Sequence, residues 1–359
     1  MYKNVIKRLI DIIISLMLIP FILILIIPVA LFIKLEDHGD VFYNAERYGC
    51  NMKKFKMFKF RSMKMNAPDV RNADGTTFNS EKDVRLTKIG GFLRKTSIDE
   101  LPQIFEELIA DPAFQKAACS AIPNVPFEIL AQKMRACKTK LDFQKTFCYG
   151  ILWKIAKDFT DGLSLDHTAL PDKKKAYTYI SNHRDIILDS GFLSILLVDQ
   201  GMDTVEIAIG DNLLIYPWIK KLVRVNKSFI VQRALTMRQM LESSARMSRY
   251  MHYTIMEKNQ SIWIAQREGR AKDSNDRTQD SVLKMLAMGG EGDTIDRLME
   301  INIAPIAISY EYDPCDFLKA QEFQLKRDIE GYKKTTQDDL RNMQTGLFGY
   351  KGKVHFQAA

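Results

Sequence analysis

The sequence predicts an α/β protein: an N-terminal re-entrant membrane helix hairpin with a small α/β piece, then a larger α/β domain flanked by helices. Three observations predict it. An apolar run near the N-terminus is long enough to enter a bilayer. A basic stretch with short apolar steps follows it. From Ala176 onward, β-branched and aromatic segments alternate with longer segments of helical periodicity. The 359 residues allow two domains, and 46% apolar content argues against disorder. A net charge of +8 favours anionic partners. The five cysteines (Cys50, Cys119, Cys137, Cys148 and Cys315) contain no C-x-x-C pair. That argues against a disulfide framework or a zinc site and for reduced cytoplasmic thiols.

The first element is the membrane segment, assigned to residues 1–36. From Ile12 to Ile33 there is no charged residue, and only Ser15, Pro20 and Pro28 interrupt the apolar run. About 20 helical residues match the hydrocarbon core of a bilayer. A signal peptide would have a shorter apolar region and a small-residue cleavage site. Lys3, Lys7 and Arg8 put the N-terminus on the cytoplasmic side. Arg47, Lys53, Lys54, Lys56, Lys59, Arg61 and Lys64, with no acidic residue among them, want that same side. Both demands are met if the helix kinks near Pro20 and returns, because proline removes a backbone donor and its ring clashes with the preceding turn. The expected location is the cytoplasmic face of the cell inner membrane.

The second element spans 37–108. KKFKMFKFRSMKM, residues 53–65, interleaves aromatic residues with lysines and reads as a short strand. Residues 66–83 read as loop. In RLTKIGGFLRKTSIDELPQIFEEL, residues 85–108, Ser97 and Glu100 form a capping-box pattern at a helix start. Taken alone, Asp99 and Glu100 are favourable anions in a first helical turn.

The order of these pieces resembles the monotopic phosphoglycosyl transferases, the bacterial sugar transferases. The resemblance rests on the N-terminal apolar hairpin, FKMFKFRSMKM and R-x-T-K-I-G-x-x-L-R-K-x-S-I-D-E-L-P-Q. It implies that Asp99 is the nucleophile taking a phosphosugar from a nucleotide sugar, for delivery to polyprenol phosphate. It further implies that Glu100, with Asp99, holds Mg²⁺, and that Arg94, Arg61 and Lys59 contact phosphate. A carboxylate that attacks a diphosphate needs its repulsion screened, which fits a metal and basic side chains. The family's next stretch, G-D-M-S-x-V-G-P-R-P, is missing: Leu108 runs into IADPAFQKAACSAIPNVPFEIL. The sugar transferase part is therefore expected to be truncated.

Residues 109–175 read as a helical lead-in broken by Pro123, Pro126 and Gly162. From 176 to 359, AYTYISN, VEIAIG, RVNKSFIVQR, SIWIAQRE and NIAPIAISY read as strands. DSGFLSILLVDQ, NLLIYPWIKKL, ALTMRQMLESSARMSRYMHYTIMEKN and QDSVLKMLAM read as helices between them. KVHFQAA at the end gives no clear closing element. His183 stands where a strand ends and a helix follows, in YISNHRDIILDSGFL, a junction both rigid and reachable. Asp185 and Asp189 are both near enough in sequence to orient its imidazole. Arg233 ends the strand KSFIVQR, and Glu268, Gly269 and Arg270 follow the strand SIWIA. A glycine turn beside a guanidinium suits bidentate phosphate binding.

Four blocks in this order resemble the glycerolipid acyltransferase family of the lysophosphatidate and glycerol-3-phosphate type. They are Asn182-His183 with a following Asp, Phe229-Ile230 to Arg233, Glu268-Gly269-Arg270, and the Pro305 strand. The resemblance implies a mixed sheet flanked by helices and one-step acyl transfer without a cofactor. His183 would be the base, Asp189 its partner, and Arg270 with Arg233 the phosphate contacts. The donor would be acyl-CoA or acyl carrier protein, and the acceptor a lysophospholipid or glycerol phosphate. Five residues separate His183 from Asp189 where the family has four, so the choice between Asp189 and Asp185 stays open. A proline before Glu268 and a threonine after Gly269 are also missing. The expected function is a membrane-associated acyltransferase fused to a truncated sugar transferase. The alternatives are phosphoglycosyl transfer, alone or as a second activity, and a non-catalytic membrane-surface module. Nucleic acid is not an expected partner, since no recognition motif occurs.

Overall fold

A computed structural model of the chain describes residues 30–36, 38–48, 54–65, 67–68, 85, 87, 101–122, 125–232, 235–273 and 275–359. The chain divides into two compact units, Met1–Pro102 and Gln103–Ala359. Most of the expected membrane hairpin lies outside the described residues. Among the described residues no helix is long and apolar enough to cross a membrane.

In the first unit, β1 (Phe42–Tyr48) and β2 (Lys54–Phe60) form an antiparallel pair, in register from Phe42 opposite Phe60 to Tyr48 opposite Lys54. The strand expected in the basic stretch is β2. Just past it, Arg61 is buried and donates from Nε to the Asp40 carbonyl (2.5 Å) and from Nη1 to the Met63 carbonyl (2.8 Å).

Helix α1 (Leu101–Ile109) starts at the end of the first unit and runs into the second, where α2 (Pro112–Ala121) and α3 (Phe127–Ala136) follow. Next comes a helical segment made of α4 (Lys140–Phe143), one π turn (Gln144–Cys148) and α5 (Tyr149–Phe159). Asp111 caps α2 by accepting from the backbone N–H groups of Ala113 and Phe114, which have no partner inside the helix. The helical lead-in stops at Phe159, earlier than expected. Gly162–Asp166 is β3, and it joins the sheet.

The sheet has seven strands, ordered β3-β9-β8-β4-β7-β5-β6, where β4 is Thr178–Ser181, β5 Glu206–Gly210, β6 Ser228–Val231, β7 Ile262–Ala265, β8 Ile303–Tyr310 and β9 Lys353–Ala358. All neighbours are parallel except β8 and β9, so the sheet is mixed. Crossovers between parallel strands need helices. They are α6 (Leu188–Asp199), α7 (Pro217–Val225), α8 (Met237–Met256), α9 (Asp280–Leu286) and α10 (Thr294–Glu300). The expected strand RVNKSFIVQR is shorter than its apolar span suggested, because Arg224 and Val225 still belong to α7.

Strand alternation divides the core between the two faces of the sheet. Tyr177, Tyr179 and Trp263 pack with Ile155 of α5 and Phe192, Leu193 and Leu196 of α6. Ile180, Ile262 and Ile264 pack on the other face with Met251 and Ile255 of α8 and Leu286 of α9. Beyond β8 the chain adds α11 (Asp316–Asp328) and α12 (Thr336–Phe348) before β9. KVHFQAA, which gave no clear closing element, supplies β9 between β3 and β8. Its Val354, Phe356 and Ala358 are buried in alternation with Lys353, His355 and Gln357. Six residues of period two, with no flanking turn on one side, are a weak signal in the sequence.

Candidate active site

Because β8, β4 and β7 are adjacent and parallel, the loops after all three emerge on one edge of the sheet. Crevices at the carboxyl ends of such strands are where α/β folds place ligands. Asn182, the residue after β4, clamps its loop to β8. Its Nδ2 donates to the Ile308 carbonyl (2.9 Å), and its Oδ1 accepts from the Ile308 N–H (2.7 Å). His183 follows, with its ring edge-on to Trp263 of β7 at 5.6 Å. Trp263 is fixed in turn by its Nε1–H, which donates to Ser181 Oγ (3.0 Å).

His183 Nδ1 lies 2.9 Å from Asp189 Oδ2, and since a carboxylate only accepts, Nδ1 carries the proton. Asp189 sits in the first turn of α6 and is completely buried. Its Oδ2 also accepts from the backbone N–H groups of Arg184 (2.7 Å) and Asp185 (3.1 Å), and its Oδ1 from the Tyr310 hydroxyl (3.1 Å). Four donors, two of them backbone groups near a helix start, hold this carboxylate in one position. Burial among apolar groups, with Asp189 close by, raises the Tyr310 hydroxyl well above its usual range, so it stays a donor.

The choice between the two aspartates is decided by the turn. Asp185 Oδ1 accepts from Ile187 N (2.9 Å) and Leu188 N (2.7 Å), so its side chain closes the start of α6 and leaves the imidazole to Asp189. Burial, together with the nearby Asp189, raises the Asp185 carboxyl above its usual value.

His183 opens onto a cavity of about 1210 Å³. Its walls are mostly aliphatic and aromatic, with Leu152, Ile155, Ile195, Trp218, Met247 and Leu347 among them. Gly191 of α6 also lines it and allows a close approach to α5, since a Cβ there would meet Leu152 Cδ2 at 3.1 Å. Glu268 and Gly269 stand on the same wall, and Gly269 has φ +72°, a value glycine tolerates.

Arg270 is not part of that wall. It is buried, with Nη2 donating to Asn342 Oδ1 of α12 (2.9 Å), and its charge bears on Asp185 and Cys315. Lys351 joins this buried set, with Nζ donating to the carbonyls of Leu347 (3.2 Å) and Gly349 (2.6 Å). Burial lowers its ammonium to about 8, against a partial upward pull from Asp185. The guanidinium on the cavity wall is instead that of Arg267, whose Nη1 donates to the Asn275 carbonyl (3.0 Å). Sequence reasoning missed Arg267, Tyr310 and α12. A polar-tipped aromatic ending an apolar strand beside the histidine's strand was the available signal for Tyr310.

Asp99, Glu100, Arg94 and Arg233 lie outside the described residues, and Lys59 is placed in β2. No group of three or more His, Cys, Asp and Glu residues that could hold a metal occurs among the described residues.

Residues 2–112 match the family model of the bacterial sugar transferases, and residues 166–309 match that of the acyltransferases. An exopolysaccharide production protein of Rhizobium leguminosarum bv. phaseoli is 41% identical over 122 residues, covering 33% of this chain and 58% of that protein. The UDP-glucose:undecaprenyl-phosphate glucose-1-phosphate transferase of Klebsiella pneumoniae is 40% identical over 104 residues, 29% of this chain and 22% of that one. The chain thus spans less than two thirds of either relative. Among solved structures, the 1-acyl-sn-glycerophosphate acyltransferase of Thermotoga maritima matches at TM-score 0.34 and 11% identity, over 74% of this chain and 85% of that one. The chain is thus similar to bacterial sugar transferases over residues 2–112 and to acyltransferases over residues 166–309.

Proposed function

We propose that the second unit transfers an acyl group from an acyl thioester, on CoA or acyl carrier protein, to a hydroxyl of a phosphate-bearing glycerolipid at the cytoplasmic face of the inner membrane. The observation that carries this reading is His183 on the wall of a large apolar cavity, with Asp189 buried behind it and bonded to its Nδ1. With Nδ1–H held by Asp189, Nε2 takes the proton of the acceptor hydroxyl as its oxygen attacks the thioester carbon. The C–S bond breaks, and the thiolate recovers that proton from the imidazolium. Asp189 stabilises the transient positive charge and fixes the ring. The apolar walls receive the acyl chain. In this reading Arg267, on the cavity wall, adds a phosphate contact to those that the resemblance gives to Arg270 and Arg233. His183→Ala is expected to cut transfer of a labelled acyl group to a lysophospholipid by about 10²–10⁴-fold. Full transfer by that variant would end the proposal.

The sugar transferase match supports a second reading for the first unit: phosphosugar transfer from a nucleotide sugar to polyprenol phosphate, with Asp99 as nucleophile and Mg²⁺ held with Glu100. Metal-dependent release of nucleoside monophosphate, lost in Asp99→Asn, is the expected result. No release at any metal concentration removes this reading.

A further inference from the structure

Helix α8 begins with an apolar stripe that is exposed among the described residues. Met237, Met240 and Leu241 occupy one face of its first turns and are 73%, 48% and 56% exposed. Tyr216, at the start of α7, is 44% exposed and stacks on Trp218 at 6.3 Å. Met240 and Tyr216 also line the cavity that holds His183, so the exposed stripe is continuous with the cavity's rim. The same two helices carry exposed basic side chains: Lys220 and Arg224 on α7, and Arg238 and Arg246 on α8. Glu242, paired with Arg238 at 3.1 Å, is the acidic residue in that turn of α8.

We infer that this face of α7 and α8 docks onto an anionic lipid bilayer, with Met237, Met240, Leu241 and Tyr216 entering the headgroup boundary and the basic residues meeting lipid phosphates. A helix that presents large apolar side chains flanked by lysine and arginine gains from apolar burial and anionic lipid together. A tyrosine suits that depth, with an apolar ring and a polar tip. An acidic protein partner would be served by the basic residues but gives no reason for a long apolar stripe. The surface requires neither acyl transfer chemistry nor the N-terminal apolar segment.

The molecule contains its own control. On α10, Ile295 and Met299 are 67% and 70% exposed, yet Glu291, Asp293 and Asp296 border them. Apolar exposure is similar there, and the charge is opposite.

The test uses the full chain with Cys50 and Cys119 changed to serine and a bimane label on Leu241→Cys or, separately, on Ile295→Cys. Vesicles of phosphatidylcholine with about a third phosphatidylglycerol carry a nitroxide on the acyl chain of a trace lipid. Quenching at position 241 is expected to exceed that at 295 by about threefold or more, and to weaken in high salt. Equal quenching at the two positions, or none at either, overturns the proposal. Shielding of the 241 label by acyl carrier protein without lipid quenching also overturns it, in favour of a protein partner.

Discussion

Asp185 and Asp189 stand four residues apart at the start of one helix, and both are buried, yet they belong to different regions of the molecule. Asp189 bonds to His183, which lines the cavity, and to Tyr310. Asp185 faces the C-terminal segment, where Arg270, Cys315 and Lys351 gather beneath α12. On the cavity side the anion is met by four donors and serves one imidazole. In the C-terminal region its like is used to close a helix start and seat a later helix. Neighbouring carboxylates in a short loop are thus divided between an imidazole and a helix start, as their hydrogen bonds show.

The largest effect expected on the C-terminal side is a pH dependence of stability. A lysine in the unfolded chain titrates near 10.5, while burial holds Lys351 at about 8. Between those values the unfolded state binds more protons, so the unfolding free energy rises with pH, by up to about 3 kcal/mol from this group. Chemical denaturation across that range should show the rise in the parent protein and its loss in Lys351→Met. A rise of equal size in the variant would place its origin elsewhere.

Gly346 sharpens the same region. A Cβ on this α12 residue would lie 1.9 Å from Asp185 Oδ2, so the helix seats only because that position has no side chain. Gly346→Ala should lower unfolding stability by about 1–3 kcal/mol. An unchanged denaturation midpoint would mean that α12 does not pack against Asp185 as described.

The smallest effect belongs to the cavity side. Tyr310→Phe removes one of four donors to Asp189 and leaves the others in place. Transfer should fall by about tenfold, the order of one hydrogen bond to a charged group. Asp189→Asn combined with Tyr310→Phe should then add little, because both act through the same carboxylate.

Much of the second unit was legible in the sequence, because its strands and helices differ in period. AYTYISN before a polar loop and an apolar helix marked β4, the His183 junction and α6. The choice of His183's partner was not legible, since spacing in sequence does not say which side chain turns back to cap a helix. Arg270 read as a phosphate ligand because it follows a glycine after a buried strand. Its partner, Asn342, comes 72 residues later on α12, a contact that no local pattern announces. β3 and β9 were missed for a related reason: GLSLD and KVHFQA are short, and they become strands by pairing with distant partners, β3 with β9 and β9 also with β8.

The most direct test of the division between the two aspartates is to measure acyl transfer and melting temperature in Asp189→Asn and Asp185→Asn side by side. Asparagine keeps the shape of both side chains and, at 185, a carbonyl oxygen able to cap the helix. The account predicts a loss of about 10²–10⁴-fold in transfer for Asp189→Asn and the parent's order of magnitude for Asp185→Asn, with both proteins folded. Equal losses in the two variants, or full transfer by Asp189→Asn, would contradict it.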